Sequence, residues 1–350
     1  MTMAYGVWED AINRKQEVFP LISTRRKVLS FIITAAGLFL LFLLAVNTGS
    51  LKVSPSELLR GLFVEYDPNV ATVYDLRFPR IFIAMLGGAA MAVSGVLLQA
   101  VMKNPLADPG IIGVSSGASL AAVLVTAFLP SLYFFTPLFA FAGGMAAFLL
   151  VYSLSYKGGL SPLRIILVGV AVNACFTGLL NACNAGTGST LSGVAAIVNA
   201  NITMKTWDDF GTLLWYAFIG LVLSFFVTNQ CNLLALEDKT ARSLGVNVTR
   251  SRILISCVAV LLSSISTAVI GPISFLGLIV PHIARLLVGS NHKVLVPYTI
   301  LLGAFTLLLA DTVGRTIAYP YEISAAVIMS VVGGPFFILL LRRSRQSYGN

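Results

Sequence analysis

Charge is scarce in this chain. Only 11% of its 350 residues are Asp, Glu, Lys or Arg, less than half the roughly 25% of an ordinary soluble domain. With 57% apolar residues and a mean hydropathy of +0.90, this excludes a soluble enzyme, a disordered protein and a collagen-like fibre. Short segments of alternating polarity are missing too, which excludes a strand-built membrane barrel. Histidine is nearly absent. His282 and His292 are the only two, too few for a histidine-rich metal site or a ladder of heme ligands. The four cysteines, Cys175, Cys183, Cys231 and Cys257, lack metal-type spacing and sit in or beside apolar runs. They read as buried small hydrophobes. Nowhere does Gly-x-x-x-x-Gly-Lys-Ser/Thr occur, so the sequence holds no P-loop for ATP. What is abundant is long apolar runs, and the class they define is an all-α polytopic membrane protein.

A polar N-terminal segment, 1–27, ends in Arg25-Arg26-Lys27, and an uncharged run from Val28 to Thr48 follows. Its length suits one bilayer crossing of about 20 residues. No small-residue cleavage pattern marks it as a removable signal. Further runs lie at 81–102, 110–156, 165–204, 210–236, 253–281, 294–310 and 323–341. The 110–156 run is long enough for two helices, with a turn between Pro130 and Pro137. Another apolar run, 274–289, is short and broken by Pro281. The count is about ten transmembrane helices, of which 110–128 and 275–289 are the least regular. Residues 28–341 then form one transmembrane unit, followed by a short tail, 342–350.

The net charge of +9 comes from 23 basic and 14 acidic residues. With the N-terminus inside and ten crossings, 16 basic residues face inward and six outward, with Arg285 at a span end. Such a bias places both termini in the cytoplasm, and makes the lipid bilayer, not nucleic acid, the partner of the basic loops.

Two loops carry helix signals. In the outer segment 49–78, Ser54 is placed as an N-cap, Pro55 as the first helical residue and Glu57 as the capping-box partner. Leu58, Leu59, Leu62 and Phe63 then suggest an amphipathic helix lying on the outer face. In the inner segment 232–252, Leu236, Thr240, Ala241 and Leu244 fall near one helical face, and Gly245 is a natural C-terminal cap. A short mixed helix between two spans needs something to pack against.

Two blocks interrupt the apolar pattern. The first is Gln99, then Asn104-Pro105-Leu106-Ala107-Asp108-Pro109, then Gly113-Val114-Ser115-Ser116-Gly117. The second runs Gly271-Pro272-Ile273-Ser274-Phe275-Leu276-Gly277-Leu278-Ile279-Val280-Pro281-His282-Ile283-Ala284-Arg285. Small residues let helices approach closely in lipid. A broken backbone at membrane depth is tolerated only where it is buried in protein or lines a cavity. The two blocks suggest equivalent places in two half-repeats, although no residue-level identity links the halves.

These blocks, in this order, resemble the FecCD family, the permease subunits of bacterial ABC importers for iron–siderophores, heme and vitamin B12. The resemblance covers roughly residues 30–341. It implies a fold like that of the vitamin B12 importer permease, located in the bacterial cytoplasmic membrane, with no cofactor bound by this chain. It implies a second permease subunit, two cytosolic ATP-binding subunits and an extracytoplasmic substrate-binding protein as partners, with iron–siderophore as the expected cargo. The segment containing Leu236, Asp238, Lys239, Thr240, Ala241, Arg242, Leu244 and Gly245 looks like the family's ATPase-coupling helix. Glu237 stands where the family usually has Gly. Val198-Asn199-Ala200-Asn201-Ile202 replaces the Trp-x-x-Gly-Ser pattern common before the next span. By the same resemblance, Arg60 and Arg315 are candidates for docking the binding protein, with a solvated anchor as the plain alternative for each.

Among single residues, Asp311 lies four before Arg315, so the two can share a helical face as an ion pair. A proton relay is the rival role for Asp311. Arg77 and Arg80 read as fixing the entry of the second span. Gln99, Asn104, Pro105 and Asp108 mark the helix break on the pathway side. Asn173 and Thr177 share helical spacing with Asn181 and either line a pathway or bond between helices. His282 reads as a buried hydrogen-bonding group beside Pro281 and not as an iron ligand. The rival classes are an ion-coupled secondary transporter, which needs titratable groups at mid-membrane, and an intramembrane enzyme, for which no nucleophile–base pair is in view.

Overall fold

The computed structural model describes residues 22–48, 53–155, 162–186, 192–203 and 205–348. Among them the chain forms α1 (Thr24–Asn47), α2 (Pro55–Phe63), α3 (Pro68–Met102), α4 (Val114–Phe128), a 3-10 turn (Pro130–Phe135), α5 (Thr136–Ser155), α6 (Pro162–Gly186) and α7 (Ser192–Val198). It continues with α8 (Trp207–Phe226), α9 (Thr228–Leu234), α10 (Asp238–Ser243), α11 (Val248–Ile270), α12 (Leu276–Val288), α13 (His292–Thr316) and α14 (Ala325–Tyr348). No strand occurs among the described residues. Eight helices are long and apolar enough to cross a membrane, α5 with its preceding turn among them, and two shorter apolar ones are α4 and α12. Eight of the ten expected spans are thus long enough to cross by themselves, and the two least regular, 110–128 and 275–289, are the two short helices.

Two boundaries differ from the sequence reading. The 210–236 run is not one helix: it breaks at Val227, between α8 and α9. α3 begins at Pro68, well before Ile81. Asp67 caps it by accepting from the Asn69 amide at 2.8 Å and the Val70 amide at 3.4 Å, and Pro68 takes the first helical position. At 1.5 Å per residue, 35 residues reach about 52 Å, far beyond a hydrocarbon core of about 30 Å. The excess of about 22 Å is roughly four turns, and the first four turns hold Asp75, Arg77 and Arg80.

α3 is the centre of the molecule. Its most apolar window is 83% buried, against 11% for α1 and 17% for α14. It packs on α8, α11, α12 and α13, while α4 and α5 pair beside α11. Glycines set the distances. A Cβ on Gly88 would overlap the Gly303 carbonyl of α13, and one on Gly95 would overlap the Gly277 backbone of α12. Backbone meets backbone at these points, as small residues allow in lipid. The outward faces of α1, α6, α8 and α14 carry exposed Ile33, Leu167, Phe226 and Val331, as lipid-facing helices require.

Polar groups are sorted to two ends. At one end, the basic face, Arg26 of α1 donates to the Leu286 carbonyl of α12, and the α9 and α13 termini meet through Asn232 and His292. At the other, the far face, the end of α1 meets the start of α3: Arg77 donates to the Val46 carbonyl at 2.6 Å. The cysteines depart from expectation. Cys231 is buried, but Cys175 is exposed on α6, whose outward side faces away from the core.

Candidate functional site

α10 stands on the basic face between α9 and α11 and packs on both. Glu237, the residue before it, has φ −61 and ψ 145, ordinary extended backbone that any residue adopts, so replacing the family's Gly there strains nothing. At its end Gly245 takes φ +82. The Gly245 amide donates to the Arg242 carbonyl at 2.9 Å and the Val246 amide to the Ala241 carbonyl at 3.1 Å, a Schellman cap.

Of the four residues expected on one face, Leu236, Thr240 and Leu244 are exposed and one turns inward. Ala241 is fully buried within this chain. It seats the helix on its own protein and is no part of an outward contact face. Leu236 and Leu244 are the outward apolar residues, 40% and 61% exposed, with Lys239, Thr240 and Arg242 beside them in solvent. Asp238 faces back toward the molecule. It pairs with Lys103 at 2.8 Å and with Arg252 at 3.0 Å. The Asp238 carboxyl is held below the ordinary carboxylate range, first by the Lys103 hydrogen bond and then by the nearby Arg252, Lys103 and Arg242 charges, against the opposing pull of partial burial. Sequence singles out neither Lys103 nor Arg252, because nothing local signals a contact across 135 residues for the first or across 14 and a helix boundary for the second.

The helix-break residues come together. Asp108 is buried, and its Oδ1 accepts from the Gly110 and Ile111 amides at 2.8 and 3.0 Å. Its Oδ2 lies against the first turn of α12, toward the Phe275 and Gly277 amides. A carboxylate suits this helix N-terminus, since α12 has no side-chain cap of its own. Gln99 is buried beside it. Its amide donates to the Ala107 and Gly277 carbonyls, and its Oε1 accepts from Arg285. Asn104 is buried and accepts the Leu106 amide, while Pro105 is exposed. The two broken blocks, expected to be equivalent by repeat, thus touch each other. Each also precedes a short helix with a left-handed N-cap, Gly113 at φ 86 and Phe275 at φ 67. Asn173 and Thr177 are half-buried on α6, where Asn173 crosses the start of α4 at Gly113.

At the far face lies an ion cluster. Arg80 grips Asp311 through Nε and Nη2 at 3.0 and 2.8 Å and donates from Nη1 to Glu322 at 2.8 Å. Arg315 reaches Asp311 at 3.1 Å, the pair expected from spacing, and points Nη1 at the Ala45 carbonyl. Thr203 donates to Glu322. The cluster walls a cavity of about 300 Å³ that Asn199, Asn201 and Ser324 also line. Arg315 is only 7% exposed. Buried so deeply beside Asp311 and the end of α1, it is not placed to dock another protein, contrary to the expectation from sequence. Arg80 does more than fix helix entry, because it supplies the closest contacts to Asp311. Arg60 is exposed but paired with Glu65 at 2.7 Å, in a groove shared with Glu57 and Asp67. His282 stands edge-on to Phe336 with ring centres 5.6 Å apart. No cluster of metal-ligating side chains occurs among the described residues.

A bundle of apolar helices around a buried, broken core defines a polytopic helical membrane protein. The chain belongs to the FecCD transport family, which matches residues 37–343. Proteins named "Probable heme-iron transport system permease protein IsdF", from Staphylococcus aureus strains MSSA476 and Newman, are 40% identical over 327 residues, spanning 93% of this chain and 99% of theirs. The solved structure "An inward-facing conformation of a putative metal-chelate type ABC transporter" is 26% identical. It covers 90% of this chain and 99% of its own with a TM-score of 0.73. The PsaBC structure from Streptococcus pneumoniae, in complex with Fab, shares the fold at 16% identity, covering 82% and 95%, with a TM-score of 0.54. The chain is thus an ABC importer permease in a cell membrane.

Proposed function

We propose that this permease carries iron held in an organic chelate, with ATP hydrolysed by separate cytosolic subunits that dock on α10. The basic face is then cytoplasmic, with both chain termini, and a binding protein delivers cargo at the far face to a pair of permease subunits. The observation that carries the reading is α10 itself. A six-residue helix that presents Lys239 and Arg242 is bracketed by two exposed leucines, Leu236 before it and Leu244 at its C-cap, on a mount fixed by Ala241 and Asp238. Exposed apolar and cationic side chains together suit a groove on another protein. Without a P-loop in the chain, energy from ATP has to enter by contact. The rival ion-coupled transporter draws no support from Asp311, which is neutralised by two arginines.

The names of the relatives favour heme as the chelate, whereas the sequence motifs alone suggested a siderophore. Leu244→Glu tests the docking. Because Leu244 is exposed, the variant should reach the membrane as wild type does. Tagged wild type should retain a P-loop ATPase in mild detergent, and the variant should retain at least 10-fold less. Competing uptake of hemin and of a ferric hydroxamate then separates the cargoes. If wild type retains no ATPase and uptake collapses when the proton gradient is dissipated, the importer reading is wrong.

A further inference from the structure

Lys103 is an unusual residue for its place. It ends α3 in the left-handed conformation, φ 48 and ψ 37, with its amide bonded to the Gln99 carbonyl. Gly or Asn ordinarily takes such a position, because a Cβ is disfavoured there. A strained position of this kind points to a use for the side chain. The Lys103 ammonium reaches across to the start of α10, donating to the Leu236 carbonyl at 2.6 Å and to Asp238 at 2.8 Å. Arg252, at the start of α11, holds the same Asp238 oxygen at 3.0 Å. Packing seats α10 on α9 and α11, and the lysine adds a tie to α3.

That tie sits at a junction. The next residue, Asn104, begins the turn that leads through Asp108 to the first turn of α12. Movement of α10 applied at Lys103 therefore acts on the end of the most buried helix and on the loop where α3, α4 and α12 converge. The ion pair is itself about one-third exposed on both sides. A pair so wet contributes little to stability, so fold maintenance does not account for a strained lysine.

We propose that Lys103 is a positioning residue for transport: it is the joint through which displacement of α10 by an ATPase is passed to α3. This rests on the reading of α10 as the ATPase contact.

The test uses the whole importer in proteoliposomes, with hemin uptake and ATP hydrolysis measured together and subunit retention checked by pull-down. Lys103→Gly removes the amine and relieves the backbone. It should retain the ATPase subunits and hydrolyse ATP within about twofold of wild type, while hemin moved per ATP falls at least 10-fold. Lys103→Arg should restore most of that ratio, and the exchange Lys103→Asp with Asp238→Lys should restore part of it. An unchanged ratio in Lys103→Gly, with subunits retained, overturns the joint but leaves the docking reading standing. Loss of ATPase retention in both Lys103→Gly and Lys103→Arg also overturns it, because the lysine would then serve docking. Failure of wild type to retain an ATPase removes the reading beneath it. Should Lys103→Gly not accumulate, Asp238→Asn, which keeps the backbone and weakens the same tie, must show the same fall in hemin per ATP or the joint is rejected.

Discussion

The two charged assemblies of this protein sit at opposite ends and are built oppositely. At the far face, Arg80, Asp311 and Arg315 are each under a tenth exposed and share bonds at 2.8–3.1 Å. At the basic face, Lys103 and Asp238 make an equally short pair at 2.8 Å, but in water. Length is therefore no guide to strength. Charges withdrawn from water are costly to leave unpaired, whereas exposed pairs contribute about 0.2–1 kcal/mol. The buried cluster ties together the far ends of α1, α3 and α13 as a permanent staple. The basic-face pair, about one-third exposed, adds little to stability, so its part is to join α10 to α3 and not to hold the fold.

The sharpest way to break this comparison is Arg80→Leu. It leaves Asp311 and Glu322 without their main partner and should destabilise by about 3–5 kcal/mol, read as thermal unfolding in detergent. A loss below 1 kcal/mol would mean that the far-face cluster is no staple. Ala241→Asp comes next. It forces a charge into a fully buried site and should cost roughly 2–3 kcal/mol, by lifting α10 off its mount. Limited proteolysis within 236–246 would report it.

Glu322 is smaller again and depends on pH. Burial pushes its carboxyl up, but the Arg80 hydrogen bond and charge, with the Thr203 hydroxyl, outweigh this and hold it below its ordinary range. A depressed carboxyl stabilises the fold above its unfolded pKa and loses that contribution as pH falls through the folded value. Glu322→Gln should thus lower stability by about 0.5–1 kcal/mol at pH 7, and the gap should close as pH falls below the ordinary glutamate range and through the depressed folded value. The smallest expected effect is Lys103→Gly, within about 0.5 kcal/mol of wild type, since the lost pair and the relieved left-handed strain offset each other. A large stability loss there would move the basic-face tie into the class of staples.

What sequence could say about these parts depended on range. Local signals read well. The capping box of Ser54 and Glu57 forms, Gly245 caps α10, and Asp311 and Arg315 meet across one turn. The eight long spans follow from apolar runs, because hydrocarbon demands them. Contacts between distant residues could not be read. Arg80 meets Asp311 across 231 positions, and Lys103 meets Asp238 with no periodic cue. Charge-free runs also misplaced the start of α3, since a helix that continues past the bilayer may carry charge freely. The inward turn of Ala241 was lost for another reason. Over six residues a helical face is ambiguous, and only the neighbours α9 and α11 decide it.

α12 carries a consequence for how the protein is made. Its 13 residues reach about 20 Å, short of the roughly 30 Å a lone segment must cover. A membrane insertion machinery that releases helices one at a time would find it unable to hold a spanning position. It needs α3 in place already, with Gly95 open to receive Gly277 and Asp108 waiting for its first turn. Biogenesis therefore has an order written into it: the first broken block must be laid down before the second can enter, and a chain started after α3 would lose α12 to the membrane surface.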